Sequence, residues 1–459
     1  MKTLNKLLSK KWVLFVGITL FIFLSCQKES SIQQKKTLTI QQNPQLKTNS
    51  SSENISSAVA TDWYRLQFRM ILKANPATDG ALDAEVFAYI GIGLYESVRS
   101  GIKNSISLSN SLYQMPEMPA KDNNGYDLQV SANAVLASLV RNMYPASFIA
   151  ANQASIDSLE NAYNEKLSLS MDSKKFQRSQ DYGRAVANAI YNWSKTDNYN
   201  VSNAGYVLPT MPLGVYILTP PKYAKPILPF VGDSRPLIIE DGSGVCPPPP
   251  FPYSEDPASG FYKMVKDIYD VSKSLTTEQI TIAKYWNDLG IGIGYTPPGH
   301  MLFVATEAIE QSGVNLGTAA EAFAKAGIAI REAHLVCFRS KYQYLQIRPV
   351  SYIRKLIDPT WMSLIPTPPH PEYPAAHAFL TTTVMTAVSS VLGSNVGVVD
   401  SAYYLLGFAP RSFSSLDKVG EESGNSRRYG GIHYMPSIMA GWAAGKELGI
   451  RVGNVKMEE

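Results

Sequence analysis

Apolar residues recur at helical spacing through most of the chain beyond Asp62. Phe87, Ile90, Leu94 and Val98 form one stripe. Ala132, Val135, Leu136 and Leu139 form a second, and Val186, Ile190 and Trp193 a third. Spacing of this kind puts each set on one helix face and predicts core-facing helices. No strong run of alternating residues predicts a strand, and no repeat at a fixed period is present. Residues 196 to 261 break the pattern with Pro, Gly and Tyr, including Pro247 to Pro250, and read as a solvent-exposed linker between helical layers or as a lid. Helices resume near Asp267. Pro297-Pro298 marks a helix start. Thr318 and Glu321 have capping-box spacing and open a helix running to Leu345, with Pro349 keeping Arg348 out of the α region. The fold class expected is all-α, helical bundles in one large domain spanning 58–459.

The N-terminal pattern is different. Lys2, Lys6, Lys10 and Lys11 precede an apolar run from Trp12 to Leu24, which is short for a membrane span. It ends at Ser25-Cys26 and resembles a bacterial lipobox, with Phe23 in place of the usual Leu. Residues 1–25 are therefore expected to be a lipoprotein signal peptide, Cys26 the acylated residue, and 26–57, rich in Ser, Gln, Asn and Lys, a flexible tether. The chain would be exported and held by this lipid at a membrane, facing periplasm or cell surface. Formal net charge is +4, and the four leading lysines account for it. Nothing points to nucleic acid or to an anionic membrane surface. Cys246 and Cys337 remain and are expected to be unpaired.

Chemistry concentrates between Lys341 and Ser437. KYQYLQIRP carries Lys341 and Arg348, PEYPAAH carries His377, and SRRYGGIH carries Arg427 and His433. Lys341 and Arg348 are seven residues apart. In a continuous helix they would share a face, ~10 Å apart along the axis. Alone, such a pair is usually a solvated face. His377 precedes an apolar helix pattern, which puts it at a helix N-terminus, where backbone N–H groups favour an anion. Alone, it would read as a turn histidine. Gly430-Gly431 lets backbone approach a ligand between Arg427 and His433. Together the cations and histidines suit a tetrahedral or trigonal oxyanion such as phosphate or vanadate.

The ordered set Lys-x6-Arg-Pro, Pro-x-x-His and Arg-x5-His resembles the vanadium-dependent haloperoxidase and type 2 phosphatidic acid phosphatase superfamily. The flanking WNDLGIGIGYTPPGH and REAHLVCFRSKY segments are similar to it too, with Glu332 where Asp is usual. The resemblance implies vanadate, or phosphate in the same pocket, held by Lys341, Arg348, Arg427 and the Ala376 N–H. His433 would be the metal ligand, or the nucleophile toward a phosphate ester. His377 would be the acid/base, and Asp288 would salt-bridge and aim Arg427. Phe338 and His370 match the halide side, and His370 predicts bromide favoured over chloride. Two departures stand out: PAAH replaces the family's PSGH at Ala375-Ala376, and Ser437 stands where many members place an Asp that fixes the second histidine. Three readings follow. One is a haloperoxidase using hydrogen peroxide and halide, another a soluble acid phosphatase with a phosphohistidine. The third is an oxyanion-binding surface lipoprotein without activity. Oligomeric state is open.

Overall fold

The computed structural model describes residues 51–120, 124–199, 201–239, 241–288 and 294–459. The signal peptide, Cys26 and most of the tether lie outside the described residues, as does most of the glycine-rich turn after Asp288.

Thirteen α-helices carry the described chain. They are α1 Ala58–Lys73, α2 Gly80–Val98, α3 Leu128–Met143, α4 Ala146–Ser168, α5 Ser173–Ser194, α6 Gly260–Ser272, α7 Thr277–Tyr285, α8 Pro297–Gln311, α9 Leu316–Tyr344, α10 Pro349–Leu356, α11 Ala376–Leu392, α12 Leu416–Tyr429 and α13 Met435–Gly453. Short polar side chains begin many of them. Asp79, Asp127, Asp172, Ser259 and Thr296 each accept a first-turn N–H, and Pro297 sits just inside α8 as expected. The α9 start differs from the capping-box expectation: Asn315, three residues before Thr318, accepts the Thr318 N–H at 2.9 Å. The strands among the described residues are β1 Val398–Asp400 and β2 Arg411–Phe413, an antiparallel pair with Val399 opposite Ser412.

The 29-residue α9 runs through the core and packs on α2, α11 and α8. Its crossing with α2 is a backbone contact. A Cβ on Gly91 would lie 2.5 Å from Phe323 O, and one on Gly327 would lie 2.4 Å from Phe87 O. The three apolar stripes all lie in the core. A second close contact joins α13 to α11. Gly441, Gly445 and Gly449, four residues apart, face Ala375 O, Phe379 O and Thr383 O.

The irregular stretch 195–259 is more than a solvent-exposed linker. Arg331 on α9 bonds Asp197 at 2.8 Å and the Arg235 carbonyl at 3.0 Å, and the neighbouring Glu332 accepts the Leu237 N–H at 2.7 Å. Proline-rich chain cannot satisfy itself with helical hydrogen bonds, so buried side chains of α9 hold it in place.

Candidate active site

The helix ends one residue before the expected Leu345, so Lys341 and Arg348 do not share a continuous helix face. α9 stops at Tyr344, Leu345 turns left-handed with φ 49°, and Arg348 stands at the N-cap of α10 with φ −77° and ψ 151°. Pro349 does keep Arg348 extended. The break turns Lys341 and Arg348 onto separate elements.

Lys341 is fully buried, and a buried ammonium needs three acceptors. A single turn supplies them: the carbonyls of Pro371, Glu372 and Pro374, at 3.1, 3.0 and 2.5 Å. Burial lowers its pKa to about 8. Arg348 is as deeply enclosed. It donates to the carbonyls of His370 and Ile432, both at 2.9 Å, and to imidazole nitrogens of His433 and His370 at 3.2 and 3.0 Å. An arginine only donates, so His433 Nε2 and His370 Nδ1 carry lone pairs.

The proton of His433 is therefore on Nδ1, and its acceptor is Glu372 Oε1 at 2.9 Å. Glu372 is buried and takes three more bonds, from the Tyr434 N–H at 3.0 Å, Gln346 at 2.6 Å and Ser437 at 2.7 Å. The missing aspartate at 437 is thus supplied from elsewhere, and Ser437 steadies its substitute. Burial first, then Arg348 and Lys341, holds His433 well below the usual imidazole range.

His377 is the second residue of α11. Its Nε2 donates to Asp288 Oδ2 at 2.9 Å, and Nδ1 has no partner among the described residues. Asp288 does not aim Arg427, as expected from sequence. Its other oxygen takes His300 Nδ1 at 2.9 Å and the Tyr403 hydroxyl, while His300 Nε2 reaches Asp400 at 2.9 Å. Asp288 acts on Arg427 only through charge, which raises the pKa of the guanidinium against its burial, and makes no direct bond to it among the described residues. Arg427 is held by the Trp286 carbonyl and, at 2.9 Å, the Ser426 hydroxyl. Burial opposes charge on His300, but Asp288 and Asp400 outweigh it and lift its pKa to about 10. Burial and Arg427 lower His377 to about 4.

A cavity of about 810 Å³ collects these groups. His433, His377, Asp288, Arg427, Ala376, His370 and Phe338 all line it, whereas Lys341 and Arg348 stand behind its wall. His370 is buried, its ring 5.2 Å from that of Phe338. Ala375 and Ala376 part company. Ala375 packs with Ala378 and Ile438, while Ala376 opens the uncapped N-terminus of α11 to the cavity.

These residues fit an oxyanion. Lys341, Arg348 and Arg427 are buried, and none makes a salt bridge among the described residues. Burial lowers the pKa of each. Buried charge without a direct ion pair is costly; Glu372 offsets part of it for Lys341 and Arg348, Asp288 part of it for Arg427, and an anion between His433 and Arg427 would add to both. The uncapped helix end adds backbone donors.

Sequence reasoning gave no role to Glu372, His300, Asp400, Tyr403 or His334. The last lines the cavity, with burial lowering its pKa to about 3. His334, Phe338 and Lys341 share one face of α9 by spacing, a signal that was available. Glu372 sits inside PEYPAAH, five residues before His377, where an acid among prolines was a weaker one. Asp400 comes from the end of β1 and Tyr403 from the loop after it, distant segments with no motif.

The family described as VCPO second helical-bundle domain matches residues 357–458. A solved bacterial vanadium-dependent iodoperoxidase is 25% identical, with TM-score 0.80, covering 91% of this chain and 99% of its own. A bacterial vanadium-dependent chloroperoxidase in its holo form is 15% identical with TM-score 0.62, covering 89% and 98%. At that identity the second likeness is one of fold. No curated protein sequence matches significantly. The matched helical bundle, the shared architecture and the two histidines set among buried cations make the chain similar to the vanadium haloperoxidase superfamily and support that kinship.

Proposed function

We propose that the chain oxidises halide with hydrogen peroxide, using vanadate held by His433, Arg427 and the Ala376 N–H, with Arg348 and Lys341 adding charge from behind the wall. The observation that carries this reading is the trio of buried cations that make no salt bridge among the described residues, beside a cavity lined by both motif histidines.

Bound vanadate supplies an electrophilic centre that activates hydrogen peroxide toward a halide. Glu372 keeps the His433 proton on Nδ1 and so leaves Nε2 as the ligand atom. His377 is neutral above about pH 4, and its Nδ1 takes a proton and returns it. Asp288 fixes the ring for this exchange. Arg427 and the start of α11 balance negative charge at the cavity.

Bromide is easier to oxidise than chloride and needs weaker activation. The polar His370 ring on the cavity wall, in place of an apolar one, weakens the field of the cations. The chain therefore favours bromide over chloride, and His370→Phe raises chloride turnover relative to bromide. Equal ratios in both proteins would remove His370 from halide choice. The likeness to an iodoperoxidase brings iodide into the same assay. Acylation of Cys26 completes the reading as an exported, lipid-anchored enzyme, and mass spectrometry of the mature N-terminus decides it.

The test is vanadate titration with paired assays of halide oxidation and phosphate-ester hydrolysis. Vanadate-loaded protein should oxidise bromide, and His433→Ala should lose vanadate while melting near wild type. Ester hydrolysis without halide oxidation would overturn the proposal in favour of a phosphatase working through His433.

A further inference from the structure

His300 stands on α8, behind the cavity lining. Both of its ring nitrogens meet a carboxylate. Nδ1 is 2.9 Å from Asp288 Oδ1 and Nε2 is 2.9 Å from Asp400 Oδ2. A neutral imidazole has one N–H and one lone pair, so its bare nitrogen would face an oxygen lone pair. The two carboxylates are already used as acceptors elsewhere. Asp288 accepts from His377 and from the Tyr403 hydroxyl, and Asp400 Oδ1 accepts the Ala402 N–H at 2.9 Å. The geometry therefore puts both protons, and a positive charge, on the His300 ring.

All three side chains are fully enclosed. Three buried charges are a poor way to gain stability, because apolar side chains of similar volume often do as well or better. Their place suggests another use. Asp288 is one bond from His377, and it also acts through charge on Arg427. Trp286 joins the two cations. Its ring stacks on His300 with centroids 4.5 Å apart and planes at 27°, and its carbonyl accepts from Arg427. Asp400 is pinned in turn, paired with Arg411 across the two strands and with its carbonyl 3.1 Å from the Tyr285 hydroxyl.

We propose that His300, kept charged by Asp400, is a positioning residue that occupies Asp288 in place of Arg427, so that Asp288 fixes the His377 ring while Arg427 stays with the oxyanion. His300 touches neither the oxyanion site nor the cavity and acts only through Asp288. With a neutral residue at 300, one carboxylate would be shared between an imidazole and a guanidinium. Arg427 would then turn toward Asp288, and the His377 ring would lose its single orientation. Only the kinetic arm of the test rests on the halide-oxidising reading above.

The chain has five histidines, few enough for ring-nitrogen NMR of the histidine-labelled full chain to separate them. At neutral pH and without vanadate, one ring should carry two protons, and its signals should vanish in His300→Gln. The His377 ring, assigned by its loss in His377→Gln, should be protonated on Nε2. In Asp400→Asn the His300 ring should keep one proton, and His377 should divide between its two neutral forms. Vanadate titration of Asp400→Asn should show affinity about tenfold weaker, as for other residues that support a ligating group. Its kcat for bromide should fall about tenfold with the bromide KM unchanged. Where His300→Gln does not fold, Asp400→Asn, which keeps size and shape, carries the test alone. Absence of a doubly protonated ring in wild type overturns the proposal. So does an Asp400→Asn variant that melts lower yet keeps the wild-type His377 form and vanadate affinity, since the pair would then serve the fold only. Ring states as expected, with no bromide oxidised by vanadate-loaded wild type, overturn the halide-oxidising reading and leave the role of His300 standing.

Discussion

Glu372 Oε1 lies 2.9 Å from His433 Nδ1, so the carboxylate that orients one motif histidine sits on the turn leading into the other. That turn is held by the three bonds of Lys341. The motif lysine, both histidines and the replacement acid thus form one connected unit.

Glu372→Gln should lower vanadate affinity roughly 10- to 100-fold, as for other partners of a metal-ligating histidine. The amide can no longer fix which ring nitrogen of His433 is protonated. Titration of vanadate into the variant checks this. An unchanged affinity would show that Arg348 alone sets the ring.

Lys341→Met should cost about 2–4 kcal/mol of stability, because three buried carbonyls lose their donor while the removed charge recovers part of the loss. Urea unfolding measures it. A variant as stable as wild type but unable to bind vanadate would return the lysine to a purely ligand-binding role.

The two alanines should respond differently. Ala376→Gly opens backbone at the cavity and should tighten vanadate up to about tenfold. Ala375→Ser places a hydroxyl among Ala378 and Ile438, and should cost about 1 kcal/mol with no gain in affinity. Vanadate titration and thermal melting of each single variant tell them apart, and equal tightening by both would contradict the packing at Ala375.

His300 carries a pH signature. Its pKa in the fold is about 10 against an ordinary 6.5, so its contribution is fully present below 6.5 and is lost as pH rises through about 10. The excess melting temperature of wild type over His300→Gln should therefore be largest at about pH 6 and shrink toward about pH 10. A difference independent of pH would mean that the imidazole between Asp288 and Asp400 is uncharged.

Much of this was legible in the chain. Apolar stripes at helical spacing place α2, α3 and α5, and Pro297 and His377 mark real helix starts. The motif histidines do meet in one cavity. Two kinds of error remain, and both are physical. The helix end near Leu345 was legible, but Leu345 adopts a left-handed conformation that no local signal demands, so how Arg348 is turned away from Lys341 was not. The partners of Asp288 come from α8, α11 and the loop after β1, and spacing along a chain carries no information about which donor reaches a carboxylate first. Glu372 was visible as an acid but not as a partner, because Ser437 occupies the position where such an acid is usually sought.

The glycines of α13 bear on how this site can change over time. His377 opens α11, His433 stands two residues before α13, and Gly441, Gly445 and Gly449 press the main chains of the two helices together. The spacing of the two reactive rings is therefore gauged by backbone thickness, which mutation of other core side chains leaves untouched. The cavity walls at 219–228 and 362–369 belong to neither helix, so substitutions there leave that gauge in place.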